Sequence, residues 1–121
     1  MTRRDAAVLF LLVAPALAGR AIAHSLLERS DPRGDSTVKA SPAQVRLWFT
    51  GAVESAYSRV EVLARQGQRV DIGETVVDAE TRKSLTVPVP PLPPAEYRVR
   101  WRVLAVDGHV TEGKFTFRVA P

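Results

Sequence analysis

Two histidines and one aspartate are the residues of this chain that could bind a metal ion together. His24 and His109 are its only histidines, there is no cysteine, and the single methionine is Met1. Asp107 precedes His109 by two residues, so in an extended chain both side chains project from the same face. Gly108 between them leaves the backbone uncrowded and permits a positive φ. This pattern is compatible with half of a metal site.

The segment before His24 has the parts of a secretory signal peptide. Two arginines stand at positions 3 and 4, an apolar run covers residues 8–18, and Ala21-Ile22-Ala23 matches a cleavage site with small residues. The apolar run is too short to span a bilayer. The paired arginines also leave twin-arginine export open. We expect residues 1–23 to be removed and residues 24–121 to form one periplasmic domain.

Cleavage at this point would make His24 the N-terminal residue and so a chelating group. A free α-amine has a pKa near ~7.7, and it can close a six-membered ring on a metal together with Nδ1 of the same histidine. A ring nitrogen of His109 and an oxygen of Asp107 would complete a set of three nitrogens and one oxygen. That set suits a tetragonal Cu(II) ion, whereas a Cu(I) thioether site needs methionine sulfur.

A plain turn explains the same residues equally well. Asp-Gly is a strong two-residue hairpin signal, so Asp107-Gly108 could form a type I′ turn with His109 merely flanking it. His24 could follow the signal peptide by chance. From the residues alone, the turn and the metal site both stay open.

Alternating apolar residues predict about seven short strands and therefore an all-β sandwich or barrel. No long helical period follows residue 23. Five prolines within residues 88–94 predict a crossover between sheets, and Tyr97 resembles a structural tyrosine corner. The predicted strands begin near Leu26 and cover residues 45–49, 59–63, 70–77 with a break or bulge at Gly73, 85–89, 97–103 and 114–119.

Several classes of function find no support in the sequence. There is no G-x-S-x-G elbow for a serine nucleophile and no glycine-rich phosphate loop, so we expect no enzyme. The formal net charge is +4, but it is spread along the chain and does not indicate a nucleic-acid partner. Arg98, Arg100 and Arg102 alternate with apolar residues, which predicts a solvated sheet face.

Several motifs together resemble the CopC family of periplasmic copper-resistance proteins. They are the histidine that opens His24-Ser25-Leu26-Leu27, then Ser30-Asp31-Pro32, Val45-Arg46-Leu47-Trp48-Phe49, the run Tyr97 to Val103, Val106-Asp107-Gly108-His109, and Gly113-Lys114-Phe115-Thr116-Phe117. The resemblance covers almost all of residues 24–121. Arg33 departs from it, because the family usually has small residues after the proline.

The resemblance implies a seven-stranded Greek-key β-barrel or sandwich, Ig-like and cupredoxin-like in shape, with one Cu(II) site. The implied ligands are His24, His109 and Asp107, the last as a ligand or close partner. Without methionines after Met1, no Met-rich Cu(I) site is implied. We expect a monomer that buffers copper or delivers it to a CopD-like membrane transporter. The alternatives are an N-terminal-histidine copper monooxygenase and a metal-free β-sandwich interaction module.

Overall fold

Period-two alternation of apolar residues builds two four-stranded sheets in the computed structural model, which describes residues 25–121. The predicted all-β class is confirmed, and the one helical element within residues 25–121 is a short 3-10 helix at Ser55–Tyr57. The predicted signal peptide and His24 lie outside the described residues. Within residues 25–121, no helix is long and apolar enough to cross a membrane. The strands are β1 Leu27–Asp31, β2 Ser36–Val38, β3 Gln44–Phe49, β4 Arg59–Leu63, β5 Val76–Val77, β6 Ser84–Pro88, β7 Ala95–Leu104 and β8 Val110–Val119.

The core lies between the two sheets, whose strand orders are β1-β3-β6-β5 and β2-β8-β7-β4. Each long strand contributes alternate apolar side chains to it, as the sequence predicts. These side chains are Val45, Leu47, Phe49, Val60, Val62, Leu85, Val87, Tyr97, Val99, Trp101, Val103, Phe117 and Val119, and Val89 joins them directly after β6. Burial of this contiguous apolar surface is the main stabilising contribution in a fold without disulfides.

The β7–β8 hairpin is the longest unit of the fold and carries the candidate metal residues at its tip. Its antiparallel ladder runs without a break from the pair Ala95–Val119 to the pair Leu104–Val110. Trp101 packs edge-on against Phe49 of the other sheet, with ring centroids 5.2 Å apart. The hairpin is therefore packed into the core, and its continuous ladder fixes the position of the loop at its tip.

The proline-rich segment crosses from β6 in one sheet to β7 in the other, which confirms the predicted crossover. The hydroxyl of Tyr97 donates a 2.6 Å hydrogen bond to the carbonyl of Pro93. Its ring stacks on Phe117 at a centroid distance of 5.7 Å. Tyr97 therefore has the structural role that the sequence predicts.

Two details of the strand prediction are wrong. The sequence pattern does not predict β2, because its three residues are too few to show an alternation. This strand pairs in parallel with the end of β8. The strand expected over residues 70–77 shrinks to Val76–Val77, because side chains replace the backbone ladder there. Asp71 Oδ1 accepts from the N–H of Val62 at 2.8 Å, and Thr75 Oγ1 accepts from the N–H of Val60 at 3.0 Å.

Asp71 should make the stability of the fold depend on acid pH. Burial raises the pKa of its carboxyl, but hydrogen bonds from Arg69 and from the N–H of Val62 outweigh burial and hold the pKa below its ordinary value. We therefore expect the stabilisation to be complete above the unfolded-state pKa of about 3.9. It should be lost as pH falls through the lower folded-state pKa.

The variant Asp71→Asn tests this expectation, because the amide oxygen can still accept from Val62 while the charge is gone. We expect about 1 kcal/mol less unfolding free energy at pH 7, a modest value because the Arg69 guanidinium is more than half exposed. Urea unfolding between pH 7 and 2.5 should show a shallower acid-dependent loss in the variant than in the parent. Identical pH profiles would contradict the assignment.

Candidate metal centre

The loop at the tip of the β7–β8 hairpin is a three-residue connection rather than the two-residue turn that Asp-Gly can form. Ala105 N–H donates to the carbonyl of His109 at 2.8 Å, and Gly108 N–H donates to the carbonyl of Ala105 at 2.9 Å. Gly108 has φ of +94°, while Asp107 is not among the residues with positive φ. A type I′ turn needs positive φ at both central residues, so that alternative is wrong.

This loop brings Asp107 and His109 into direct contact. The N–H of His109 donates to Asp107 Oδ1 at 3.0 Å, and His109 Nδ1 lies 3.2 Å from Asp107 Oδ2. The His109 side chain is 61% exposed and that of Asp107 is 24% exposed. The backbone contact is an Asx-type turn, which holds the carboxylate under the imidazole while the ring stays open to solvent.

The contact through Nδ1 orients the imidazole in a way that suits metal binding. Histidines that bind metals commonly engage one ring nitrogen with a carboxylate, which fixes the ring and makes the other nitrogen a better ligand. In His109 the nitrogen presented to a metal would be Nε2. The arrangement can hold a cation with one oriented nitrogen, and the Asp107 carboxylate adds negative charge beside it.

Ser25, the first described residue, is anchored directly beside this loop. Its hydroxyl donates to the carbonyl of Ala52 at 3.1 Å, and its own carbonyl accepts from Thr111 Oγ1 at 2.8 Å. The same Ala52 carbonyl accepts from the N–H of Val106 at 3.1 Å. Ser25 is 1% exposed, so the start of the described chain is fixed between the loop and the first residues of β8.

Sequence reasoning missed this anchor. The only feature of the sequence that pointed to it was Thr111, which follows His109 by two residues and so lies at the same end of the sheet as the loop. Nothing in the sequence links Ser25 or Ala52 to that end, because 86 residues separate Ser25 from Thr111 and the pairing depends on the tertiary fold.

The described residues include two of the three predicted metal ligands. Within residues 25–121, no group of three or more histidine, cysteine, aspartate or glutamate side chains is placed to hold a metal ion. Asp107 and His109 are together, and the third predicted ligand, His24, lies outside the described residues. The donors present are nitrogen and oxygen, which fits Cu(II) better than Cu(I).

Comparison with known proteins places the chain in a family. The family model for the CopC domain matches residues 27–120. The crystal structure of CopC from Methylosinus trichosporium OB3b is 40% identical and superposes with a TM-score of 0.76, covering 81% of this chain and 95% of that one. PcoC, a methionine-rich copper resistance protein from Escherichia coli, is 30% identical with a TM-score of 0.70, covering 80% and 99%.

One similar protein is much longer. The copper transport protein CutJ of Bacillus subtilis (strain 168) is 30% identical over 113 residues, which are 93% of this chain and 21% of CutJ. This chain thus spans about a fifth of the length of CutJ. Because the family model covers nearly all the described residues, this chain belongs to the CopC family of copper-binding resistance proteins, which are not enzymes.

Proposed function

We propose that this protein binds one Cu(II) ion in the periplasm, where it buffers copper or delivers it to a membrane transporter of the CopD type. The proposed ligands are the amine and Nδ1 of His24, after removal of residues 1–23, and Nε2 of His109. Asp107 assists as the partner of His109. The protein would act as a monomer, and with no methionine after Met1 we propose no Met-rich Cu(I) site.

The anchored Ser25 carries the proposal. His24 is covalently bonded to the Ser25 nitrogen, and consecutive Cα atoms are about 3.8 Å apart. The hydrogen bonds that fix Ser25 to Ala52 and Thr111 therefore fix the residue to which His24 is bonded beside the loop that carries His109. A chelating N-terminal residue and an oriented imidazole could then meet with little loss of conformational freedom, which favours tight binding.

The geometry favours Asp107 as the partner of His109 rather than as a direct ligand. Oδ1 accepts from the His109 backbone and Oδ2 faces the His109 ring. Both oxygens therefore already serve to position the imidazole. Copper binding should also weaken as pH falls through the range in which imidazole and amine take up protons, because the ligands bind only when deprotonated.

Thr111 should support copper binding without being a ligand. In Thr111→Val the carbonyl of Ser25 loses its hydroxyl partner, so the N-terminus is less well positioned. We expect about a fivefold to tenfold loss of Cu(II) affinity, or roughly 1 kcal/mol, measured by competition with a chelator of known affinity.

The matched control is Thr116→Val, which lies on the same strand but pairs with Arg98, well away from the loop. Its backbone carbonyl accepts a hydrogen bond from the N–H of Asp35, and the variant keeps that carbonyl. Its Cu(II) affinity should equal that of the parent. Equal losses in the two variants would show that Thr111 does not position the N-terminus.

Stoichiometric copper binding by the mature protein tests the proposed function. One equivalent of Cu(II) should bind and raise the melting temperature, because a ligand that binds only the native state stabilises it. A melting temperature unchanged by Cu(II) would favour a metal-free interaction module. Oxygen-dependent oxidation of a polysaccharide by the copper-loaded protein would instead favour the monooxygenase.

A further inference from the structure

The outer face of the sheet β2-β8-β7-β4 carries the positive charge of the domain. Its outward positions on β4, β7 and β8 hold six basic and three acidic side chains, a net charge of +3, whereas residues 25–121 as a whole hold 14 basic and 12 acidic side chains, a net of +2. The charge that is dispersed along the sequence is therefore collected on one face by the fold. The nine side chains are Arg59, Arg98, Arg100, Arg102, Lys114, Arg118, Glu61, Glu96 and Glu112.

Only part of this charge is neutralised within the face. Glu61 is 8% exposed, and Arg100 binds it through Nε at 3.0 Å and Nη2 at 2.7 Å. Arg59 Nε is 3.8 Å from the same carboxylate. The ion pairs of the described residues include none made by Arg98 or Arg102.

A cleft of about 370 Å³ lies at the end of this face nearest the β7–β8 loop that carries Asp107 and His109. Its apolar walls are Ala56, Tyr57, Leu104 and Val110, and Val110 follows His109 directly in the chain. Tyr57 is 72% exposed and Val110 is 47% exposed. A cleft of this size has room for an apolar side chain, and Val110 places its wall next to the loop that carries Asp107 and His109.

Two arginines close the other side of the same cleft. Arg59 of β4 and Arg102 of β7 are direct cross-strand partners, and both line the cleft. Like charges directly opposite each other on a sheet are unfavourable, and an anion placed between them would relieve the repulsion. Glu112 stands opposite Arg102 across the other ladder, yet the described residues show no ion pair between the two.

We propose that this cleft is a docking site for an acidic segment of a protein partner, with an apolar side chain between Tyr57 and Val110 and a carboxylate between Arg59 and Arg102. The proposal rests on the proposed function in one respect: the docked segment would lie next to the metal loop, where copper is exchanged. A concave cleft with apolar walls suits an inserted side chain better than it suits a flat lipid surface.

The test uses copper-free mature protein, labelled with nitrogen-15, and a synthetic peptide with one phenylalanine between two aspartates on each side. The peptide should shift the amide resonances of Tyr57, Arg59, Arg102 and Val110. The double variant Arg59→Gln/Arg102→Gln should bind the peptide with about tenfold lower affinity, which corresponds to about 1.4 kcal/mol of binding free energy. The control Arg33→Gln/Arg65→Gln removes the same charge from exposed positions outside the cleft and should bind like the parent.

Three results would overturn the proposal. They are equal weakening in the two double variants, peptide shifts confined to residues away from the cleft, and binding to phosphatidylglycerol vesicles with none to the peptide, which would indicate a membrane surface. Copper stoichiometry is measured separately in each variant. If a cleft variant no longer binds the peptide but still binds one equivalent of Cu(II), docking and metal binding are separate properties. The docking proposal and the proposed function can therefore be contradicted independently.

Discussion

Replacing His109 with alanine is expected to lower the affinity for Cu(II) by roughly a thousandfold, or about 4 kcal/mol of binding free energy. The variant removes one of the three proposed nitrogen ligands, and His109 is the only histidine among the described residues. Because the side chain is 61% exposed, the unfolding free energy of the copper-free protein should change by less than about 0.5 kcal/mol. Isothermal titration with a competing chelator and urea unfolding measure the two effects.

The variant Asp107→Asn separates two possible roles of the carboxylate. As the partner that orients His109, Asp107 should contribute roughly 10- to 100-fold to the affinity, which is typical of groups behind a metal ligand. As a direct ligand, its loss should match that of His109. If His109→Ala kept the parental affinity for Cu(II), the loop that carries Asp107 and His109 would not be part of the metal site.

Replacing Gly113 with alanine should cause one of the largest losses of stability that a single methyl group can produce here. A Cβ at Gly113 would lie 2.6 Å from Trp101 Cζ2 and 3.0 Å from Cε2. Trp101 is held against Phe49 in the core and has little room to move. We expect a loss of about 2–3 kcal/mol, as for other overpacked sites, measured by urea unfolding.

Gly34→Ala is the matched control for this variant. Its Cβ would meet Phe115 at 3.4 Å, which is at the edge of ordinary van der Waals contact, and Gly34 does not have positive φ. The control should change the unfolding free energy by less than about 1 kcal/mol. Similar losses in both variants would show that the Trp101 contact is not the cause.

The sequence predicts the main part of the fold because hydrophobic alternation is a local signal. Leu47 and Val99 lie at the centres of alternating runs, and both are fully buried. The strand β2 was missed because its pairing with β8 joins residues about 80 positions apart. Asp71 and Thr75 interrupt a predicted strand because their side chains bond to β4, which no local pattern reveals.

The candidate site was predictable in its residue types and less so in its construction. Asp107 and His109 were expected on one face, and the structure brings them together through a turn of a different type. The anchor of Ser25 could not be predicted, because it depends on Ala52 and Thr111 from distant parts of the chain. The sequence predicts a solvated sheet face for Arg98, Arg100 and Arg102, whereas Arg59, Lys114 and Arg118 join that face only through the pairing of β4 and β8 with β7.

The most direct measurement of the central claim compares the mature protein that begins at His24 with a form that carries one extra glycine before it. The extra residue turns the His24 amine into an amide but leaves Asp107, His109 and the Ser25 anchor in place. We expect the mature protein to bind one Cu(II) tightly, with an electron paramagnetic resonance spectrum of a tetragonal site that has nitrogen ligands. The extended form should bind far more weakly and give a different spectrum. Identical affinity and spectra for the two forms would contradict the chelate at His24.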